Sequence, residues 1–389
     1  MRFRHRDGTI VHLAYGTNVH PAEEVDALVA QLHRYGGPVR AALDADRIGL
    51  GLWLPAEAAS QLAANPGDLD RLRTALEREG LEVVTLNAFP YASFHAPVVK
   101  QAVYRPDWTE QSRLDYTVDC AHVLAALLPD DVSGGSISTL PLGWRTPWSP
   151  DQGAAARAQL DRLAEALADV AAKTGRLIRV GIEPEPGCVV ETTADAARHL
   201  AGIDAEYLGI CLDTCHLATA FEDATTALAA LDEAGLPVVK AQLAAALHVE
   251  RPRTPESRAA LAGFAEDRFL HQVHEAGGDG VLSRDDLPEA LDGARPLPGD
   301  RPWRVHFHVP VHAEPDGPLR STSADLVAAA EALLGGERAL TNHLEVETYT
   351  WSVLPEHQRP TDDAGLVAGL AAELGWTRDR LHELGLEAA

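Results

Sequence analysis

Basic residues are scarce in this chain, and that scarcity excludes more than any other feature of its composition. Across 389 residues, Lys and Arg number 33 against 58 Asp and Glu, a net charge of -25. Nucleic-acid phosphates must be met by Lys and Arg, and anionic membrane surfaces attract the same residues, so neither is an expected partner. No stripe interleaves basic with aromatic residues either. Cysteine is also sparse. Cys120, Cys188, Cys211 and Cys215 are too few for a disulfide framework in a chain this long, which suits a reducing compartment. No run of ~18 apolar residues exists to insert into a membrane, and no apolar stretch follows the basic start MRFRHRDGTI, as a secretory signal would require. The expected location is cytoplasmic. Internal repeats and low-complexity linkers are missing too, so residues 1–389 are read as one domain.

What is present is an alternation. Short apolar segments occur at 11–17, 48–54, 82–89, 135–142, 178–184, 207–213, 236–242 and 343–349. Between them lie stretches of helical period at 22–35, 67–79, 109–128, 152–174, 193–202 and 222–234, punctuated by residues such as Gly80, Gly175 and Gly235. Such repeated strand–helix alternation points to parallel βαβ units, in a closed barrel or a doubly wound open sheet. An open sheet favours a Gly-rich phosphate loop after an early strand, and there is none. Polar residues instead gather at strand C-terminal ends: Asn18, Asn87, Glu183, Asp213, Gln242 and Glu347. That rim is where (β/α)8 TIM barrels build their sites. The barrel is therefore the expected fold.

Residues 243–342 break the rhythm. A helical piece (256–276), a Pro/Gly/Asp-rich loop (277–302), a strand-like PWRVHFHVP and a helix (323–334) read as an insertion between strands seven and eight. At that rim it would serve as a lid or as a contact in a homo-oligomer. The alternative makes PWRVHFHVP itself the eighth strand.

Several segments carry chemistry. In VGIEPEPGC, Glu183 closes a buried strand and Glu185 follows two residues on. A charge there must be solvated, paired or coordinated. In GICLDTCHL, Asp213 and His216 stand at a strand–helix junction, where the Asp either caps the helix or binds a cation. Cys211 and Cys215 read as small buried hydrophobes. Lys240 and Gln242 end the seventh segment. In HLEVETYTW, Glu345 and Glu347 share one strand face, which is costly inside a barrel without a cation. Glu347 lies nearer the mouth. His306, His308 and His312 cluster in VHFHVPVH, with the first two on one face. His271 and His274, read on a helix, form no HExxH motif and are expected at the surface.

Together, IEPEP, LDTCH and a Glu-bearing final strand resemble the xylose isomerase-like barrels: sugar isomerases and epimerases, inosose dehydratases and endonuclease IV-type phosphodiesterases. LAYGTNVHP, EPEPGC, CLDTCHLA, WRVHFHVPVH and HLEVETYTW are similar, over nearly the whole chain, to the EboE family of metabolite traffic proteins. The resemblance implies a divalent metal (Mn²⁺, Zn²⁺, Mg²⁺ or Co²⁺) held by Glu183, Asp213, Gln242 and Glu347, with His216 and His308 as further ligands. The strand-seven Gln stands where epimerases commonly have His. The resemblance also implies catalysis by Glu183, Glu347 and His216, with Asn87, Glu185, Lys240 and His306 as substrate contacts. A sugar or polyol isomerase or epimerase using a metal-stabilised enediolate is the expected function, acting on a small polar metabolite. Non-catalytic metabolite binding or trafficking, and an endonuclease IV-like phosphodiesterase, are the alternatives.

Overall fold

In the computed structural model, which describes residues 1–278 and 280–389, eight parallel strands close into a ring. They are β1 (Ile10–Gly16), β2 (Ile48–Trp53), β3 (Leu81–Asn87), β4 (Gly134–Thr139), β5 (Leu177–Ile182), β6 (Leu208–Asp213), β7 (Val238–Leu243) and β8 (His343–Val346). Closure is made by β8, which pairs with β7 on one side and β1 on the other; Glu345 lies opposite both Gln242 and Ala14. This is a TIM barrel with an insertion before its last strand. Short antiparallel strands at Arg2–Arg4 and Glu387–Ala388 extend β1 outside the ring.

The helices form where capping chemistry favours them. The longest, Pro150–Thr174, opens on Ser149, whose side chain accepts from the Gln152 backbone N–H while the Gln152 side chain reaches back. Proline at its first position lacks only an N–H that would go unused. Gly175, at φ +70°, ends it in a left-handed turn that other residues resist. Outward-facing strand residues such as Val11, Leu50, Val83 and Ile137 are fully buried under the helices.

The ring's interior is polar and layered. At the N-terminal end Ser136 joins Thr85 and His343 by 2.8 Å hydrogen bonds. Above them lie Lys240 and Glu345, and at the C-terminal mouth Gln242 and Glu347. This stacking follows from period two: residues 240 and 242, or 345 and 347, share a face.

Among the described residues, the insertion carries a second sheet and three helices. Five antiparallel strands run in the order Val281–Arg284, Val273–Ala276, Trp303–Val309, Ala245–Val249 and Leu319–Ser321. Trp303–Val309 is thus not a barrel strand. The helix expected over 256–276 ends at Ala262, and residues 273–276 are extended. The expected loop 277–302 holds a strand and the helix Leu287–Asp292. As a result His271 and His274 are buried rather than on the surface. His271 bonds Glu266, and His274 lies 3.1 Å from Glu191.

Candidate metal centre

Three carboxylates from three strands meet at the mouth of the ring. Glu183 continues β5 by one residue, its N–H bonded to Thr139 of β4, and Glu347 continues β8 with its N–H on Leu243 of β7. Those bonds keep both side chains pointing inward. Asp213 ends β6. Ligand atoms of Glu183, Asp213 and Glu347 all lie within 4.8 Å of one another, and all three side chains are buried.

Each acid is bound differently. Asp213 caps the helix Thr214–Thr219, with Oδ1 accepting from the Cys215 and His216 N–H groups at 2.7 and 3.0 Å. Capping and coordination do not compete here, because Oδ2 is buried with no hydrogen-bond partner. Glu183 Oε2 is orphaned in the same way. Glu347 is held by neutral amides: Asn18 and Asn87 each donate to Oε1 at 2.8 Å, and Gln242 donates to Oε2. Burial, followed by the neighbouring acids Glu347, Asp213 and Glu185, pushes the Glu183 carboxyl well above its usual range. Burial raises Asp213 and Glu347 as well. Crowded, desolvated acids with bare oxygens are what a divalent cation relieves. The donor set fits one.

Beside them three imidazoles converge. His216 Nε2 lies 3.1 Å from His306 Nε2, which lies 3.3 Å from His308 Nε2. Every Nδ1 faces an acceptor: Pro184 O at 2.9 Å, Gln272 Oε1 at 2.7 Å and Glu347 O at 2.8 Å. Gln272 is itself oriented, its amide nitrogen donating to Pro186 O. Each Nδ1 is therefore the donor of its ring. Burial, then the neighbouring histidines, drives the His216 and His306 pKa values well below the ordinary range. Three Nε2 atoms thus converge, an arrangement that a borderline cation accepts.

Not every expected site residue reaches this centre. Lys240 lies beneath it, fully buried, with Nζ 2.6 Å from Glu345 Oε2. It does not line the pocket, and its ammonium is consumed by an acid that would otherwise be buried alone. Gln242 reaches the centre but presents nitrogen: its Oε1 accepts from the Cys211 thiol at 2.7 Å while its amide N–H holds Glu347. In this arrangement it supports Glu347 through its amide nitrogen. His312 is exposed. Glu185 lies on the pocket wall, bonded to the Tyr104 hydroxyl at 2.6 Å, and burial raises its pKa to about 8.

Sequence reasoning missed the supporting residues Tyr104 and Gln272 and the aromatic roof. Gln272 had a faint signal, its place inside FLHQVHE; Tyr104 had none. The roof closes where the loop after β3 meets the insertion: the Val99 and Lys100 N–H groups bond Arg268 O at 2.7 and 2.8 Å. The resulting pocket is narrow, with a cavity volume of about 50 Å³.

Fold and site geometry define a class, the β/α barrels with an acidic mouth. The chain belongs to the xylose isomerase-like TIM barrel family, which it matches over residues 41–291. No curated protein matches its sequence. Among solved structures it is similar to a xylose isomerase-like TIM barrel protein from Mycobacterium smegmatis in complex with magnesium, at 13% identity over 96% of this chain and 97% of that one, TM-score 0.53. It is also similar to D-allulose 3-epimerase from Methylomonas sp., at 13% identity over 98% and 100%, TM-score 0.51. L-ribulose 3-epimerase matches at 13% identity over 96% and 97%, TM-score 0.50. No helix among the described residues is long and apolar enough to cross a membrane.

Proposed function

We propose that this protein is a divalent-metal-dependent isomerase or epimerase of a small polyhydroxylated carbonyl compound. The observation that carries this reading is the trio Glu183, Asp213 and Glu347, buried together with two oxygens left bare. Glu183, Asp213 and Glu347 would hold a divalent cation, with His216 and His308 beside them. When bound, that cation would polarise a substrate carbonyl and offset the charge left when the adjacent carbon loses a proton.

The remaining work belongs to the chain. Glu183 Oε2 has no internal partner, so it is free to take a proton from carbon or return one. Glu347, gripped by three amides, keeps a fixed orientation across the site and is assigned the complementary proton transfer. His216 Nε2 and His306 face the pocket as contacts for substrate hydroxyls, and Asn87 and Glu185 line the same wall. The apolar roof keeps water from the reacting carbon. The sugar epimerases among the structural neighbours support this reading.

The test is solvent exchange. Metal-replete protein should wash deuterium from D₂O into the α-carbon of at least one member of a broad ketose and inosose panel. Failure across the panel would remove the isomerase reading. Two other readings each have an observation behind them. The EboE-like motifs favour non-catalytic handling of a metabolite, which predicts ligand affinity that survives Glu347→Gln. The three bare imidazoles favour a second cation and hydrolysis of a phosphodiester. Elemental analysis showing more than one bound metal, together with cleavage of abasic-site DNA, would favour the hydrolase.

A further inference from the structure

The pocket above the carboxylates is divided by chemistry. Its floor carries Glu183, Glu185, Glu347, the histidines and two asparagine amides; its outer half is hydrocarbon, from Phe89, Phe94, Val99, Val103, Phe269 and Leu270. Phe94 packs against Phe269 at 5.1 Å between ring centroids, and the Tyr349 ring meets both at 5.3 and 5.0 Å. Phe94, Val99 and Phe269 form a small apolar cluster with Trp53, separate from the main core and set directly over the site. These rings fasten the loop after β3 to the insertion, but they also face the space that a substrate must fill.

A free sugar or polyol in this pocket would press its outer hydroxyl groups against carbon. Apart from any that met the Tyr104 or Tyr349 hydroxyl, each would lose water without gaining a partner, a loss that a recognition site avoids. An anionic tail would fare worse. Lys100 is the only Lys or Arg lining the pocket among the described residues. Its Nζ is already bonded to Asp286 Oδ2 at 2.6 Å and to Glu266 O at 3.2 Å. Three acids face the same space. Nothing there matches the cationic clamp that a phosphate or carboxylate requires.

We infer that the substrate is a neutral, amphipathic compound: an oxygen-rich head that reaches the carboxylates and an alkyl, prenyl or aryl body that lies under Phe94 and Phe269. This deepens the isomerase reading and rests on it. Burying an added phenyl group at the roof should tighten binding about 30-fold.

Three hydroxamates with one chelating head and different tails separate the possibilities: acetohydroxamate, benzohydroxamate and phosphoglycolohydroxamate. Their binding to Mn²⁺-loaded protein is measured by calorimetry. Benzohydroxamate should bind about 30-fold more tightly than acetohydroxamate, with phosphoglycolohydroxamate weakest, and Phe269→Ala should erase most of the preference. The wild-type ranking stands even if that variant fails to fold. Equal affinities for the first two, or tightest binding by the phosphate compound, would overturn the amphipathic substrate and leave the metal site intact. Binding of none of the three beyond free Mn²⁺ would remove the metal reading, and this inference with it.

Discussion

Two layers of the barrel interior, two residues apart on the same strands, handle buried charge in opposite ways. In the lower layer Lys240 and Glu345 are both fully buried and neutralise each other at 2.6 Å. Burial alone would lower the Lys240 pKa, but Glu345, with Cys211 and Glu183, more than offsets this and raises it. Room for the Glu345 carboxylate comes from Gly51, where a methyl group would land on it. In the upper layer Glu183, Asp213 and Glu347 are buried too, and among the described residues none has a Lys or Arg partner in an ion pair. The lower layer cancels its charge within the chain, although Glu345 Oε1 also lacks a hydrogen-bond partner. The upper one is built to be completed by something else, and that incompleteness separates a functional layer from a structural one.

The largest expected effect breaks the lower layer. Lys240→Met strands Glu345 and should cost roughly 3–5 kcal/mol in urea denaturation, whereas Lys240→Met/Glu345→Leu should recover most of it. Recovery that failed would mean the pair does more than cancel charge. Next comes completion of the upper layer. Mn²⁺ at about 100 times its Kd should stabilise the protein by about 2.7 kcal/mol, and chelation should reverse this. A thermal melt with no shift would put the acids outside any metal site.

Another buried acid sharpens the comparison through pH. Glu373, on the helix Asp363–Glu383, has neither cation nor bare oxygen; it accepts from Val311 N–H, Thr348 Oγ1 and Trp351 Nε1. Burial, opposed by these donors, raises its pKa from 4.5 to about 7. Its folded pKa exceeds its unfolded one, so the native state binds more protons between those values and stability falls as pH rises through that window. The contribution is on the order of 1 kcal/mol per pH unit, and Glu373→Gln should flatten it in melts from pH 5 to 7. The smallest effect is at the mouth. Glu183→Gln relieves crowding and should stabilise the metal-free protein by about 1 kcal/mol while abolishing the Mn²⁺-dependent increment. A variant that still gained the full increment would exclude Glu183 as a ligand.

The legibility of these layers in the sequence was uneven. Barrel strands were readable because burial on both faces forces unbroken apolar runs such as LGICL, and strand ends because a charge following such a run stands out. Glu183, Asp213 and Glu347 were named on that ground. Lys240 was misplaced, since strand period gives the face of a side chain but not its depth or its partner. The helix over 256–276 was overextended because apolar residues in FLHQVHE satisfy helical spacing and strand alternation equally.

Local order therefore came from the chain itself: which segments are strands, where they end, and which charges those ends carry. Such features depend on neighbours in sequence, through periodicity, capping and the cost of burying charge. Convergence depended on closure of the ring, which sets residues 183, 213 and 347 around one point and brings 216, 306 and 308 beside them. So did the fate of each polar atom. Whether Lys240 meets Glu345, or Gln242 turns its nitrogen to Glu347, is decided by distances between strands that sequence spacing does not encode.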